Sequence, residues 1–158
     1  MDLEKDFVWI SKRLEFHEGC VLKPYICPAG KKTIGVGRNL EDNPLNEKEK
    51  RALGDYEKGI THNGAMMLLK NDVARCLKDL KTLECWHKLT LERKYALLDM
   101  CFQLGFKGLC GFKKMLGALN EKNYVLAAHH CLDSKYAKDT PSRAKRIADT
   151  IKNGLWLR

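Results

Sequence analysis

No apolar run in this chain approaches the length of a membrane span, so stable insertion into a bilayer is not expected. The first sixteen residues also lack the apolar core of a secretory signal, because charges interrupt them at almost every third position. There is no C-x-x-C pair and no recognisable zinc spacing. The seven cysteines, at 20, 27, 76, 85, 101, 110 and 131, are an odd number, which argues against a complete disulfide framework. Most of them read as small buried hydrophobes, as Cys101 does within Leu-Leu-Asp-Met-Cys-Phe. Together with the N-terminus, this suggests synthesis in a reducing cytosol. Internal repeats and low-complexity tracts are absent. His129 and His130 are sequence neighbours that point to different sides of a helix, so neither a metal pair nor a catalytic triad follows from them. No metal and no cofactor are expected.

What is present is a basic chain of globular length. Its 158 residues suit one domain, or one domain with two lobes, and are enough to bury a real core. Lys and Arg number 29 against 20 acidic residues, a net charge of +9, which suits an anionic partner. Nucleic acid, anionic lipid and the charged polymers of bacterial envelopes would all be attracted to such a surface, and a merely solvated basic surface is the plainer reading.

Leu3, Phe7, Ile10 and Leu14 recur at the spacing of one helical face, predicting a first helix that ends near Glu18-Gly19. Residues 22–26 and 32–36 read as short strands of a hairpin reversed by Pro28-Ala29-Gly30. A helix end facing a hairpin makes a cleft. The polar stretch 39–59 predicts irregular structure with at most a short helix. Thr61 is an N-cap candidate for a helix of about twenty residues, whose face is marked by Ala65, Leu68 or Leu69, Val73, Leu77 and Leu80. Helical patterns follow over 91–102, 112–120 and 124–132, and Pro141 opens a last helix to about residue 152, with Gly154 as its stop.

Glu18, Cys27 and Thr33 are separated by eight and five intervening residues, and the Thr opens Thr-Ile-Gly-Val-Gly. Far along the chain stand Phe102-Gln-Leu-Gly105, Gly111-Phe112, Thr140-Pro-Ser-Arg-Ala-Lys-Arg146, Gly154 and Trp156. In this order and spacing the chain resembles the phage-type lysozymes, glycoside hydrolase family 24, over nearly its whole length. The resemblance implies an α+β lysozyme-like fold: a small hairpin-bearing lobe over 18–60, a connecting helix over 61–80, and a helical lobe made of 1–17 and 81–158.

It also implies an enzyme, a muramidase acting as an endolysin. Its reaction would be hydrolysis of the β-1,4 bond between N-acetylmuramic acid and N-acetylglucosamine in peptidoglycan. Glycoside hydrolysis needs an acid for the leaving oxygen and a group that handles water or the nucleophile, normally two carboxyls. By resemblance Glu18 is the general acid, Cys27 occupies the position where most relatives carry Asp, and Thr33 holds the water. An ordinary thiol is only about a few per cent ionised at neutral pH, so Cys27 is a poor base unless its pKa is lowered. Arg143 matches an arginine that supports the catalytic Glu. Phe102, Asn39, Met115 and His130 fall on saccharide-contact positions. Arg38 stands where many relatives have His, and an Arg38–Asp72 ion pair across the lobes is expected, with a plain surface pair as the alternative.

Peptidoglycan is the expected partner, of a monomer made in the host cytoplasm and reaching the wall after the membrane is breached; nucleic acid is not expected. Three rivals remain open. The protein could bind the wall without cleaving it, having lost catalysis with the Asp. Its basic last helix, with Arg143, Lys145, Arg146 and Lys152, could disrupt anionic bilayers. Charge alone supports the third, a nucleic-acid-binding protein.

Overall fold

The computed structural model describes residues 1–156. Among them are eight α-helices and one three-stranded antiparallel sheet, an α+β architecture as the sequence leads one to expect. The chain divides into two compact units, the first Asp2–Ala74 and the second Arg75 onward with Met1.

In the first unit, α1 (Leu3–Glu18) starts where the Asp2 carboxylate accepts the backbone N–H groups of Glu4 and Lys5. It stops at Gly19, whose φ of 71° breaks the helical path. The strands β1 (Val21–Ile26) and β2 (Lys32–Gly35) form the expected hairpin, and β2 pairs on its other side with β3 (Arg38–Asn39), which the sequence did not announce. Between Val21 and Tyr25 the register slips. Pro24 lies there, on an edge strand, where a residue without an N–H is tolerated. Beyond the slip Tyr25 faces Thr33.

The stretch expected to be irregular contains α2 (Glu47–Leu53) and a turn of 3₁₀ helix over Tyr56–Lys58. Helix α2 opens with a capping box: Glu49 N–H donates to the Asn46 side chain, and Asn46 N–H to the Glu49 carboxylate. The long helix α3 (His62–Leu80) follows, and the Thr61 hydroxyl accepts the Gly64 N–H at 3.0 Å, as expected for its cap. The boundary between the units falls within α3. Ile34, Leu45, Ile60, Ala65 and Leu68 form the buried apolar cluster behind the sheet.

Beside that cluster lies a buried charge network. Arg38 is 2% exposed. Its Nε donates to Asp72 Oδ1 at 3.0 Å, and its two terminal nitrogens donate to the Glu49 carboxylate at 3.3 and 2.8 Å. Asn43 donates to Asp72 and Asn71 to Glu49, so both carboxylates are further satisfied. The expected Arg38–Asp72 pair exists, with two corrections. It is buried and lies wholly within the first unit, so it does not bridge lobes, and it includes Glu49.

In the second unit a 3₁₀ turn over Glu84–Lys88 leads to α4 (Leu91–Cys110). Its pattern reads as ending at Phe102, but the chain only breaks at Gly105 (φ 73°, ψ 160°) and resumes helix to Cys110. Then come α5 (Lys113–Asn120), α6 (Tyr124–Leu132), the short α7 (Lys135–Asp139), which was not foreseen, and α8 (Pro141–Asn153). Tyr95, Leu97, Leu98, Ile147 and Ile151 are fully buried here, each worth about 1.5–3 kcal/mol before ordering costs. Helix α8 ends at Gly154 in the left-handed conformation, and Arg93 donates to the carbonyl of Ile151 at 2.8 Å. A cation is thereby placed at the negative end of α8.

Arg38→Ala is expected to cost about 3–5 kcal/mol, because it removes the guanidinium that donates to both buried carboxylates. Urea unfolding measures this, and a loss below about 1 kcal/mol, typical of a surface pair, would contradict it.

Candidate active site

Glu18 is the last residue of α1. A carboxylate there meets the negative end of the helix dipole, so helix stability does not explain its presence. Its surroundings are set by Gly37, at φ 66°: a Cβ on Gly37 would lie 3.1 Å from Glu18 Oε2 and 3.5 Å from its Cβ and Cδ. Only a glycine backbone both takes this conformation readily and comes so near the carboxyl group.

Cys27 stands at the end of β1, at the start of the turn. Gly30 N–H donates to Cys27 O at 2.8 Å, and Cys27 N–H to Lys31 O at 2.9 Å. Pro28 presets the turn and Gly30, at φ 78°, completes it. Hydrogen bonding from the Lys31 N–H, and next from the Thr33 hydroxyl, outweighs desolvation and holds the Cys27 thiol below its ordinary value. The Ala29 N–H adds to this.

Thr33 is buried, and its hydroxyl also reaches the Lys31 carbonyl at 3.0 Å. One hydroxyl proton serves one acceptor at a time, so an ionised sulfur competes with that carbonyl for it. Tyr25 lies across from Thr33. Its phenol is pushed up by burial first, then by the charges of Cys27 and Glu18. Both groups therefore lie within electrostatic range of one side chain.

Asn39 pairs with Thr33 across β2 and β3, but its amide is engaged in its own turn. Its oxygen accepts the N–H groups of Glu41 and Asp42 at 2.9 and 3.0 Å, and its nitrogen donates to Asp42 at 2.8 Å.

In the second unit Met115 and His130 come together as walls of a groove of about 450 Å³ that also includes Phe112, Lys114 and Ser134. Met115 is 1% exposed and forms part of the floor, whereas His130 is half-buried. Phe102, half-buried on α4, is not part of this lining. Arg143 donates through Nε to Asp99 at 2.7 Å, and Tyr95 donates its hydroxyl to the same carboxylate at 3.3 Å. Burial pushes the Asp99 carboxyl up, against the opposing pull of Arg143. Among the described residues one set of side chains, Glu15, Cys20 and His62, has donor atoms close enough to hold a metal, and it lies off the hairpin turn.

The Phage lysozyme family matches residues 15–148, a span that holds the hairpin, the Glu18 helix end and the start of α8. The chain belongs to the phage lysozyme family. Among its relatives, probable T4-type lysozyme 1 of Dictyostelium discoideum is 29% identical over 160 residues, covering 92% of this chain and 94% of that protein. Probable T4-type lysozyme 2 of the same organism is 28% identical with the same coverage. The pre-baseplate central spike protein Gp5 of Enterobacteria phage T4 is 28% identical over 159 residues, but the match spans only 28% of that longer protein. Membership in the phage lysozymes supports a lysozyme-like glycoside hydrolase function, with peptidoglycan as the substrate the family implies.

Gly37→Ala is expected to lose more stability than Gly30→Ala. Both glycines have positive φ, but a Cβ on Gly30 meets nothing within 4 Å, whereas one on Gly37 meets Glu18. The backbone cost alone is about 1–2 kcal/mol. Equal losses in urea unfolding would show that the Gly37 backbone does not constrain Glu18.

Proposed function

We propose that this phage lysozyme homologue cleaves the β-1,4 bond between N-acetylmuramic acid and N-acetylglucosamine in peptidoglycan. Glu18 protonates the bridging oxygen. Cys27 and Thr33 hold and activate the water, and the sulfur in its ionised form also stabilises positive charge on the sugar. Water delivered from the side opposite the acid gives inversion at the anomeric carbon. The observation that carries this reading is that the backbone of Gly37, between β2 and β3, lies against the Glu18 carboxyl, while hydrogen bonding at the β1–β2 turn lowers the Cys27 thiol.

The thiol needs that help. An ordinary glutamic acid and an ordinary thiol titrate about four units apart, with the thiol the weaker acid. In such a pair only about one molecule in ten thousand has the acid protonated and the sulfur ionised together. Every unit by which the turn lowers the thiol raises that fraction about tenfold.

Asn39, Phe102, Met115 and His130 are assigned to saccharide contacts, with Arg143 in support. The net charge of +9 favours attachment to an anionic wall, and salt weakens it. An endolysin made in the host cytoplasm and reaching the wall after the membrane is breached fits this chemistry. A second reading stays beside it: a thiol at the position where, by the family resemblance, most relatives carry Asp fits a protein that binds the wall without cutting it.

The test compares wild type with Glu18→Gln on purified peptidoglycan, by mass spectrometry of the released fragments. Fragments ending in reducing N-acetylmuramic acid, absent with the variant, are expected. Binding without release by both proteins would favour the second reading. Cys27→Ser, whose hydroxyl does not ionise, is expected to release fragments about a hundredfold more slowly. An unchanged rate would reduce Cys27 to a packing residue.

A further inference from the structure

Three donor-bearing side chains converge near the end of α1. Glu15 lies in the last turn of α1, Cys20 just after its terminal glycine, and His62 at the start of α3. One carboxylate oxygen, the thiol sulfur and a ring nitrogen all lie within 4.8 Å of one another. The His62 Nε2 and Glu15 Oε1 atoms are already 3.1 Å apart. We propose that Glu15, Cys20 and His62 together bind one divalent transition-metal ion, with Zn²⁺ the best match.

The donor set selects the ion. Calcium and magnesium take oxygen ligands, whereas a thiolate, an imidazole and a carboxylate form a mixed set suited to zinc. Zinc bonds of about 2.0–2.3 Å in a tetrahedron put neighbouring donors about 3.3–3.7 Å apart. A spread of at most 4.8 Å therefore needs donor shifts of only about 1 Å. The His62 side chain, 61% exposed, is free to make them by rotation. Three protein ligands leave a fourth position for water.

The fold also favours a cation here. The last turn of α1 presents carbonyl oxygens and the negative end of its dipole, opposed in part by the positive end of α3. Sulfur ligates as the thiolate, so binding would displace a proton from Cys20. A bound ion would join the end of α1 to the start of α3 and brace the two residues on either side of Glu18 in the chain. The site makes no use of Cys27 and does not depend on catalysis.

Titration of the reduced full-length protein with Co²⁺, which reports thiolate ligation by a charge-transfer band, tests the proposal. Wild type is expected to saturate at one equivalent, with Zn²⁺ then erasing the band. Cys20→Ser should lose the band, and Cys27→Ser should keep it. Because Cys20 borders the apolar cluster, His62→Ala at an exposed position gives a second reading: its Co²⁺ affinity should fall about tenfold or more, and Zn²⁺ should raise its melting temperature less than that of wild type. Absence of the band in wild type, its persistence in Cys20→Ser, its loss in Cys27→Ser, or an unchanged affinity in His62→Ala would overturn the proposal.

Discussion

The first unit depends on one guanidinium held between two carboxylates. Arg38 belongs to the last strand, Glu49 to α2 and Asp72 to α3, so their hydrogen bonds tie three elements that no continuous backbone ladder joins. Through β3 the constraint passes to β2, which carries Thr33, and to Gly37 between the two strands, whose backbone lies against Glu18. Burying three charges is costly unless each is matched. Here Asn43 and Asn71 supply further donors to the two carboxylates. Such a network favours a single arrangement of its parts more than it favours stability, and a single arrangement is what an acid held against a glycine backbone requires.

The site chemistry follows from backbone more than from side-chain charge. No lysine or arginine is needed to lower the Cys27 thiol; an N–H from the turn and a neutral hydroxyl do it. That turn depends on Pro28 and Gly30, residues without chemistry of their own. Lys31, at the far end of the same turn, is turned to Glu41 and Asp42, at 3.4 and 3.5 Å. A thiol stabilised in this way stays small and polarisable and offers its charge without a carboxylate's second oxygen. In the proposed mechanism, the strength of Cys27 as a base is therefore set by loop geometry.

Local signals were the readable ones. The period of Leu3, Phe7, Ile10 and Leu14, the Thr61 cap, and Pro141 with Gly154 each determine an element from within a few residues, and each element is present. The two hairpin strands were equally legible, but two-residue β3 is too short to leave a pattern. The apolar pattern of α4 stops short of the helix itself because Gly105 breaks the periodicity without ending the helix. Helix α2 did carry a signal, the Asn46-Glu-Lys-Glu49 capping box, and that box also contains the missing member of the Arg38 cluster. The family motif named Glu18, Cys27 and Thr33, whereas Tyr25 matters only through a strand register that its own residue type does not encode. Met115 and His130 prove to share a groove, a relation between α5 and α6 that spacing alone could not supply.

The central claim is that the hairpin lowers the pKa of the Cys27 thiol, and its pH-dependent alkylation measures this most directly. Rates followed peptide by peptide separate Cys27 from the other six cysteines. Because the hydrogen bonds favour the charged form, its reactivity should rise through a midpoint below the ordinary thiol value of about 8.5, and Thr33→Val should move that midpoint upward. A midpoint at or above the ordinary value, unmoved by Thr33→Val, would contradict the claim.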